Sequence, residues 1–230
     1  MVNGDSLRFR AVVFDLDGTL VDSLVDVAGA VNDILALSGV PAVPREKWPM
    51  LLGEGSRRRM EAGFAFGGTT LTAEDLDRSV RRFQERYAER MLEETRAFDG
   101  ATEALERIAG LGIKVGVCTN KEERAARAIL SELGLVSHIT AVAGPDTYGV
   151  QKPHRDHVLK LLEAMGVEPA HAILVGDSVH DIEAAHNAGL PAVYVLWGYG
   201  HLDPRGAQPD HVIGAFADLV PILKGQAPLQ

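Results

Sequence analysis

Short, largely apolar runs punctuate the chain at 11–14, 113–117, 139–143, 172–175 and 191–196, with 11–14 and 172–175 apolar at every position. A strand covered on both faces needs that continuous pattern, and such strands belong to parallel sheets flanked by helices. Between the runs, apolar residues recur at helical spacing over 101–110, 122–133, 154–165 and 181–188, with glycine at 110, 112, 134, 166 and 189 near their ends. Strands alternating with helices predict a three-layer α/β fold built on a parallel sheet. Ligands of such sheets bind beyond the carboxyl ends of the strands, so the polar residues just after each apolar run are the candidates for chemistry.

The segment from 21 to 97 breaks this rhythm. It shows helical patterns without a convincing strand, and apolar residues three and four apart over 24–37 and 76–92 predict two antiparallel helices of an inserted lobe. Ten of the chain's 17 arginines lie there, mostly on faces expected to be solvated. The domains are therefore expected to be 1–20 with 98–230, and 21–97. No internal repeat is visible, and 225–230 reads as a frayed end.

Composition narrows the function. The 230 residues are 46% hydrophobic and 24% charged, with a net charge of −9, and no stretch approaches the roughly 20 apolar residues that span a bilayer. The first ten residues lack the apolar region of a signal peptide, which predicts a soluble, cytoplasmic protein without membrane contact. The single cysteine, Cys118, lies in an apolar run and reads as a buried structural thiol. The acidic balance argues against nucleic acid as partner. A small ligand is expected, on a monomer or homodimer.

The residues that follow the strands converge on one chemistry. Asp15 and Asp17 follow the first run in Phe14-Asp15-Leu16-Asp17-Gly18-Thr19-Leu20, Thr119 and Asn120 follow the second, Lys152 precedes the helix near 154, and Gly176-Asp177-Ser178 with Asp181 follow the fourth. Clustered carboxylates need a cation, and oxygen-only ligands suit Mg²⁺. A hydroxyl, an amide, an ammonium and backbone N–H groups around Gly18 can hold a phosphoryl group.

With these residues in place, the chain resembles the haloacid dehalogenase-like phosphohydrolases over nearly its whole length. Asp15 to Thr19 match the family's Asp-x-Asp-Gly-Thr motif, Thr119 the second motif, Lys152 the third, and Gly176 to Asp181 its Gly-Asp-Ser-x-x-Asp motif. The resemblance implies a Rossmann-like core with an inserted α-helical cap domain. It also implies an aspartyl phosphate formed on Asp15, with Asp17 protonating the leaving oxygen and later activating water. Mg²⁺ would be held by the Asp15 carboxylate, the Asp17 backbone carbonyl and Asp177. Ser178 and Asp181 would support the site, Asp181 by orienting Lys152 or metal-bound water.

Three further details resemble the phosphoglycolate phosphatase branch: Gly53-Glu54-Gly55 opening a lobe helix, the triplet Thr119-Asn120-Lys121, and Trp197-Gly198-Tyr199-Gly200 after the fifth strand. They imply 2-phosphoglycolate as substrate. Arg57, Arg58 and Arg59 are the candidates for its carboxylate, with solvent exposure the competing reading for at least two of them. A sugar-phosphate mutase or phosphatase of the same family is the alternative. Asp17 argues against a dehalogenase, the lack of a suitable lobe lysine against a phosphonate-cleaving enzyme, and the intact acid set against a non-catalytic binding module.

Other residues have plainer readings. Thr119 alone would cap the helix at 122, and Lys152 alone would be a solvated residue before Pro153. Asp22 and Ser23 are expected to cap the first lobe helix. His154 and His157 are expected in surface or capping roles rather than at a metal, and Trp197 and Tyr199 are expected to pack at the sheet's edge.

Overall fold

The computed structural model describes residues 7–52, 55–203 and 205–225. The chain forms β1 (Ala11–Phe14), β2 (Val21–Asp22), α1 (Leu24–Leu37), a 3₁₀ segment (Arg45–Leu51), α2 (Gly55–Phe66), α3 (Ala73–Arg90) and β3 (Arg96–Ala97). It continues through α4 (Ala101–Gly110), β4 (Lys114–Cys118), α5 (Glu123–Glu132), β5 (Ala141–Ala143), α6 (Pro145–Tyr148) and α7 (Arg155–Met165). The last elements are β6 (Ala172–Gly176), α8 (Val179–Asn187), β7 (Ala192–Val195), β8 (His211–Ile213) and α9 (Leu219–Leu223). Two compact units result, one of residues 1–20 and 97–230 and one of residues 21–96.

The larger unit is built on a six-stranded parallel sheet in the order β5-β4-β1-β6-β7-β8. β1 lies inside it and is fully buried at all four residues, which is why its sequence is apolar without alternation. Ala11 and Val13 face one cluster with Val158, Leu161 and Leu162 of α7 and Ile182 and Ala185 of α8. α4 packs on β4 from the other layer, with Leu105 and Ile108 buried. Where α7 comes closest to β4 the strand carries Gly116, since a Cβ there would stand 2.6 Å from the Met165 sulfur.

The smaller unit has its own core. Val27, Val31 and Ile34 of α1, Met60 and Phe64 of α2, and Phe83 and Tyr87 of α3 pack together, with the Phe83 and Tyr87 rings stacked 5.6 Å apart. Asp26, fully buried, ties the start of α1 to the chain's return by accepting from the backbone N–H groups of Glu94 and Thr95 and from the Thr95 hydroxyl. Among the described residues no helix is long and apolar enough to cross a membrane.

Several elements differ from expectation. β2 and β3 pair as a two-stranded sheet in a stretch that reads as strandless, because two residues are too few to show a period. β8 also escaped the pattern: its outer residue Val212 is 46% exposed, and the run is only three residues long. Ser23 holds the N-cap position of α1 without a side-chain cap bond, and Asp22 accepts from the Leu24 N–H at 3.3 Å instead. The end from 226 to 230 lies outside the described residues.

His154 caps α7 through Nδ1, which accepts from the Asp156 N–H, but His157 is neither on the surface nor a cap. It is fully buried, and its Nε2 donates to Gly144 O at 3.1 Å. Burial, then the nearby Lys152 charge, push its pKa from 6.5 down to about 4. Between these values the unfolded chain takes up a proton that the folded chain refuses, so stability falls as pH drops through that window. His157→Gln keeps a donor and removes the titration. From pH 7 to pH 4 the native protein should lose about 2–3 kcal/mol more unfolding free energy than this variant, at roughly 1.4 kcal/mol per pH unit. Parallel urea-denaturation curves across that range would show that His157 does not set the acid sensitivity.

Candidate active site

Strand register builds the site. Phe14 pairs with Val117 of β4 and Val175 of β6, so Asp15, Thr119 and Asp177 emerge at one end of three adjacent parallel strands. The Asp15 N–H still bonds to Val175 O at 2.9 Å, and the Thr119 N–H to Ala143 O at 3.0 Å. Beyond Asp15 the chain bends at the buried Leu16, whose carbonyl accepts from the N–H groups of Thr19 and Leu20. Gly18, at φ +85°, completes the turn where a Cβ would overlap the Asp177 carboxylate. Asp17 thus lies beyond the end of β1 and outside its strand alternation.

Lys152 Nζ lies 2.7 Å from Asp15 Oδ1 and 2.6 Å from Asp181 Oδ1. The first contact is an ion pair by distance without the angles of a hydrogen bond; the second has both. Asp181 Oδ2 accepts from the Ser178 N–H and hydroxyl, which fixes its carboxylate at the start of α8. Asp177 Oδ2 accepts from the N–H groups of Tyr199 at 2.8 Å and Gly200 at 3.2 Å. Asp17 Oδ2 lies 3.1 Å from Lys121 Nζ.

Four carboxylates against two ammonium groups leave an excess of negative charge in a largely buried place. Burial, with Asp181 and Asp177 nearby and Lys152 opposing, raises the Asp15 pKa to about 8. Burial and Asp181 raise Asp177 to about 6 against its two backbone donors. Against the burial that would lower it, Asp15 and Asp181 hold the Lys152 pKa above its ordinary value. Asp15, Asp177 and Asp181 each offer an oxygen within 4.8 Å of the others, a donor set that suits a hard divalent cation. Such an ion would offset the excess of negative charge.

Thr119 is buried beside these residues, and its hydroxyl accepts from the Lys121 N–H rather than capping α5. Asn120, expected to bind phosphate, has another task. Its amide donates to Lys152 O at 3.2 Å and accepts from the Lys152 N–H at 2.9 Å, fastening the loop that carries the lysine. Trp197 and Tyr199 do more than pack at an edge: Trp197 Nε1 donates to Thr19 O at 3.1 Å, and the backbone of Tyr199 and Gly200 holds Asp177. Lys121, which the sequence marks only as the third residue of the Thr119-Asn120-Lys121 triplet, joins the site. Cys118 is fully buried, which pushes its thiol pKa up to about 12.

The three lobe arginines have partners within their own unit. Arg57 pairs with Asp77 and Arg58 with Glu61 on exposed faces. Arg59 is buried, donates through Nε to Leu51 O at 2.7 Å and lies over the Phe83 ring, a packing role that corrects its expected contact with substrate. Gly53 and Glu54 lie outside the described residues.

Comparison with known proteins follows the same lines. A protein-family model described as haloacid dehalogenase-like hydrolase matches residues 12–195. A phosphoglycolate phosphatase of Agrobacterium fabrum is 37% identical over 92% of this chain and 91% of its own length. One of Caulobacter vibrioides is 38% identical over 93% and 90%. The crystal structure of a predicted phosphoglycolate phosphatase from Haemophilus somnus superposes with a TM-score of 0.85 at 30% identity, covering 94% of this chain and 99% of that one.

The loop behind Asp177 offers a direct check on this geometry. A Cβ at Gly198 would overlap Asp177 Cβ and stand 2.6 Å from Gly18 O. Gly198→Ala should cost about 1–3 kcal/mol by overpacking and lower Tm by several degrees. An unchanged melting curve would mean that the loop yields and does not brace Asp177.

Proposed function

We propose that this chain, which belongs to the haloacid dehalogenase-like hydrolase family, is a Mg²⁺-dependent phosphatase whose substrate is 2-phosphoglycolate. The observation that carries the reading is the buried group of Asp15, Asp177 and Asp181 around Lys152, at the carboxyl end of the sheet. The names of relatives such as those from Agrobacterium and Caulobacter support the choice of ester.

In this reading the Asp15 carboxylate attacks phosphorus and the ester P–O bond breaks. Asp17 gives its proton to the leaving glycolate oxygen. Water then loses a proton to Asp17 and attacks the aspartyl phosphate, releasing phosphate and restoring Asp15. Lys152 offsets charge on the transferring oxygens and is itself held by Asp181, which Ser178 orients. The Thr119 hydroxyl and the backbone around Gly18 receive the phosphoryl oxygens. The Asp15 carboxylate, the Asp17 carbonyl and Asp177 would hold Mg²⁺, which would supply further positive charge to the same oxygens.

Phosphate release over a panel of small esters tests the reading. 2-Phosphoglycolate should be hydrolysed best, only with Mg²⁺, and Asp15→Asn should abolish release from every ester, since an amide lacks the attacking oxygen anion. Full turnover in excess chelator, or an active Asp15→Asn, would overturn it. Stimulation by a sugar bisphosphate would instead indicate a mutase.

The helical unit is assigned the choice of leaving group, with Arg57 and Arg58 as the candidates for the glycolate carboxylate. Replacing the responsible arginine by alanine should lower kcat/KM for 2-phosphoglycolate relative to p-nitrophenyl phosphate by about tenfold to a hundredfold, the worth of a charge-assisted contact. Arg59→Ala should instead lower Tm and leave that ratio in place. An unchanged ratio in both the Arg57 and Arg58 variants would assign the carboxylate to other groups.

A further inference from the structure

Lys121 is the second ammonium group of the site. Its side chain is only 2% exposed, and Nζ stands 3.1 Å from Oδ2 of Asp17, whose own side chain is 11% exposed. Burying an ammonium on a four-carbon stem costs hydration and rotamer freedom, so a charged partner is needed to hold it there.

The backbone is shaped to deliver this lysine. The Thr119 hydroxyl accepts the Lys121 N–H at 3.2 Å, turning the chain back immediately after β4. Lys121 O passes so close to Gly144 that a Cβ there would stand 2.6 Å away. Asn120, between them, is locked to both backbone groups of Lys152. One turn therefore fixes both lysines, and they divide the carboxylates: Lys152 lies against Asp15 and Asp181, Lys121 against Asp17.

We propose that Lys121 is the positioning residue for Asp17, holding its carboxyl group toward the leaving oxygen in the first step and toward water in the second. This rests on the phosphatase reading above. It deepens that reading by giving the acid–base residue a dedicated cationic support, separate from the lysine that serves the nucleophile. Loss of Lys121 should therefore weigh on the proton transfers and spare the attack by Asp15.

Lys121→Met keeps the apolar stem and removes the charge. With 2-phosphoglycolate, kcat should fall roughly tenfold to a hundredfold, as expected for one charge-assisted contact, with KM little changed. p-Nitrophenolate leaves without a proton, so the first step with that ester should be largely spared while the water step is slowed. The variant should then release roughly one equivalent of nitrophenolate per site in a burst and accumulate aspartyl phosphate, visible by intact-protein mass spectrometry. Lys121→Arg should recover most of the 2-phosphoglycolate rate and lose the burst. Should the methionine variant not fold, Lys121→Gln set against Lys121→Arg reads the same signature. Equal losses on both esters without a phosphoenzyme, or no loss on either, would overturn the positioning role. Wild-type protein that releases phosphate from no ester would overturn the phosphatase reading itself, and the inference with it.

Discussion

Lys152 stands 2.7 Å from Asp15 and 2.6 Å from Asp181 in a place almost closed to solvent, and much of the larger unit serves that arrangement. Removing Lys152 would leave two buried carboxylates without compensation, a cost of about 3–5 kcal/mol. Surrounding groups therefore each hold one member. Asn120 holds the lysine's backbone, Ser178 holds Asp181, and the N–H groups of Tyr199 and Gly200 hold Asp177. The acids still outnumber the cations. Burial, with the neighbouring acids, raises Asp15 and Asp177, and the excess of acids makes the site receptive to a divalent cation and then to a phosphoryl group.

The sheet makes this concentration of charge affordable. Three parallel strands end at one level because their registers match, so acids that would repel one another in solution are held by buried backbone hydrogen bonds. Glycines at 18, 176, 198 and 200 surround Asp177 and Asp181, and at each of them a Cβ would overlap one of these two residues. Close approach, more than backbone freedom, explains why no side chain stands at these points.

The smaller unit is organised by different forces. A conventional helical core supplies its stability, and its buried polar groups serve local architecture: Asp26 joins α1 to the returning chain, and Arg59 bridges the 3₁₀ segment and α3. Exposed arginines around α3 pair with acids within a turn or on α1, contacts worth little individually. Its charge-rich surface is thus compatible with varied sequence, whereas the acid set of the larger unit is not.

The sequence alone determined five of the six strands of the large sheet, the major helices and the acids and lysine of the site, because apolar runs, helical spacing and the positions after strands are local properties. Tertiary structure decided the rest. β2 and β3 are two residues each and β8 has an exposed valine at its centre, so all three are defined by pairing. His157 looks like a surface residue in a charged helix, yet it turns inward to satisfy Gly144 O. Asn120, Arg59 and Lys121 each carry groups suited to an anion, and only their neighbours in space show that the first fastens Lys152, the second packs the helical unit and the third meets Asp17. A side chain's chemistry is written in the sequence, but its partner is chosen by contacts between segments far apart along the chain.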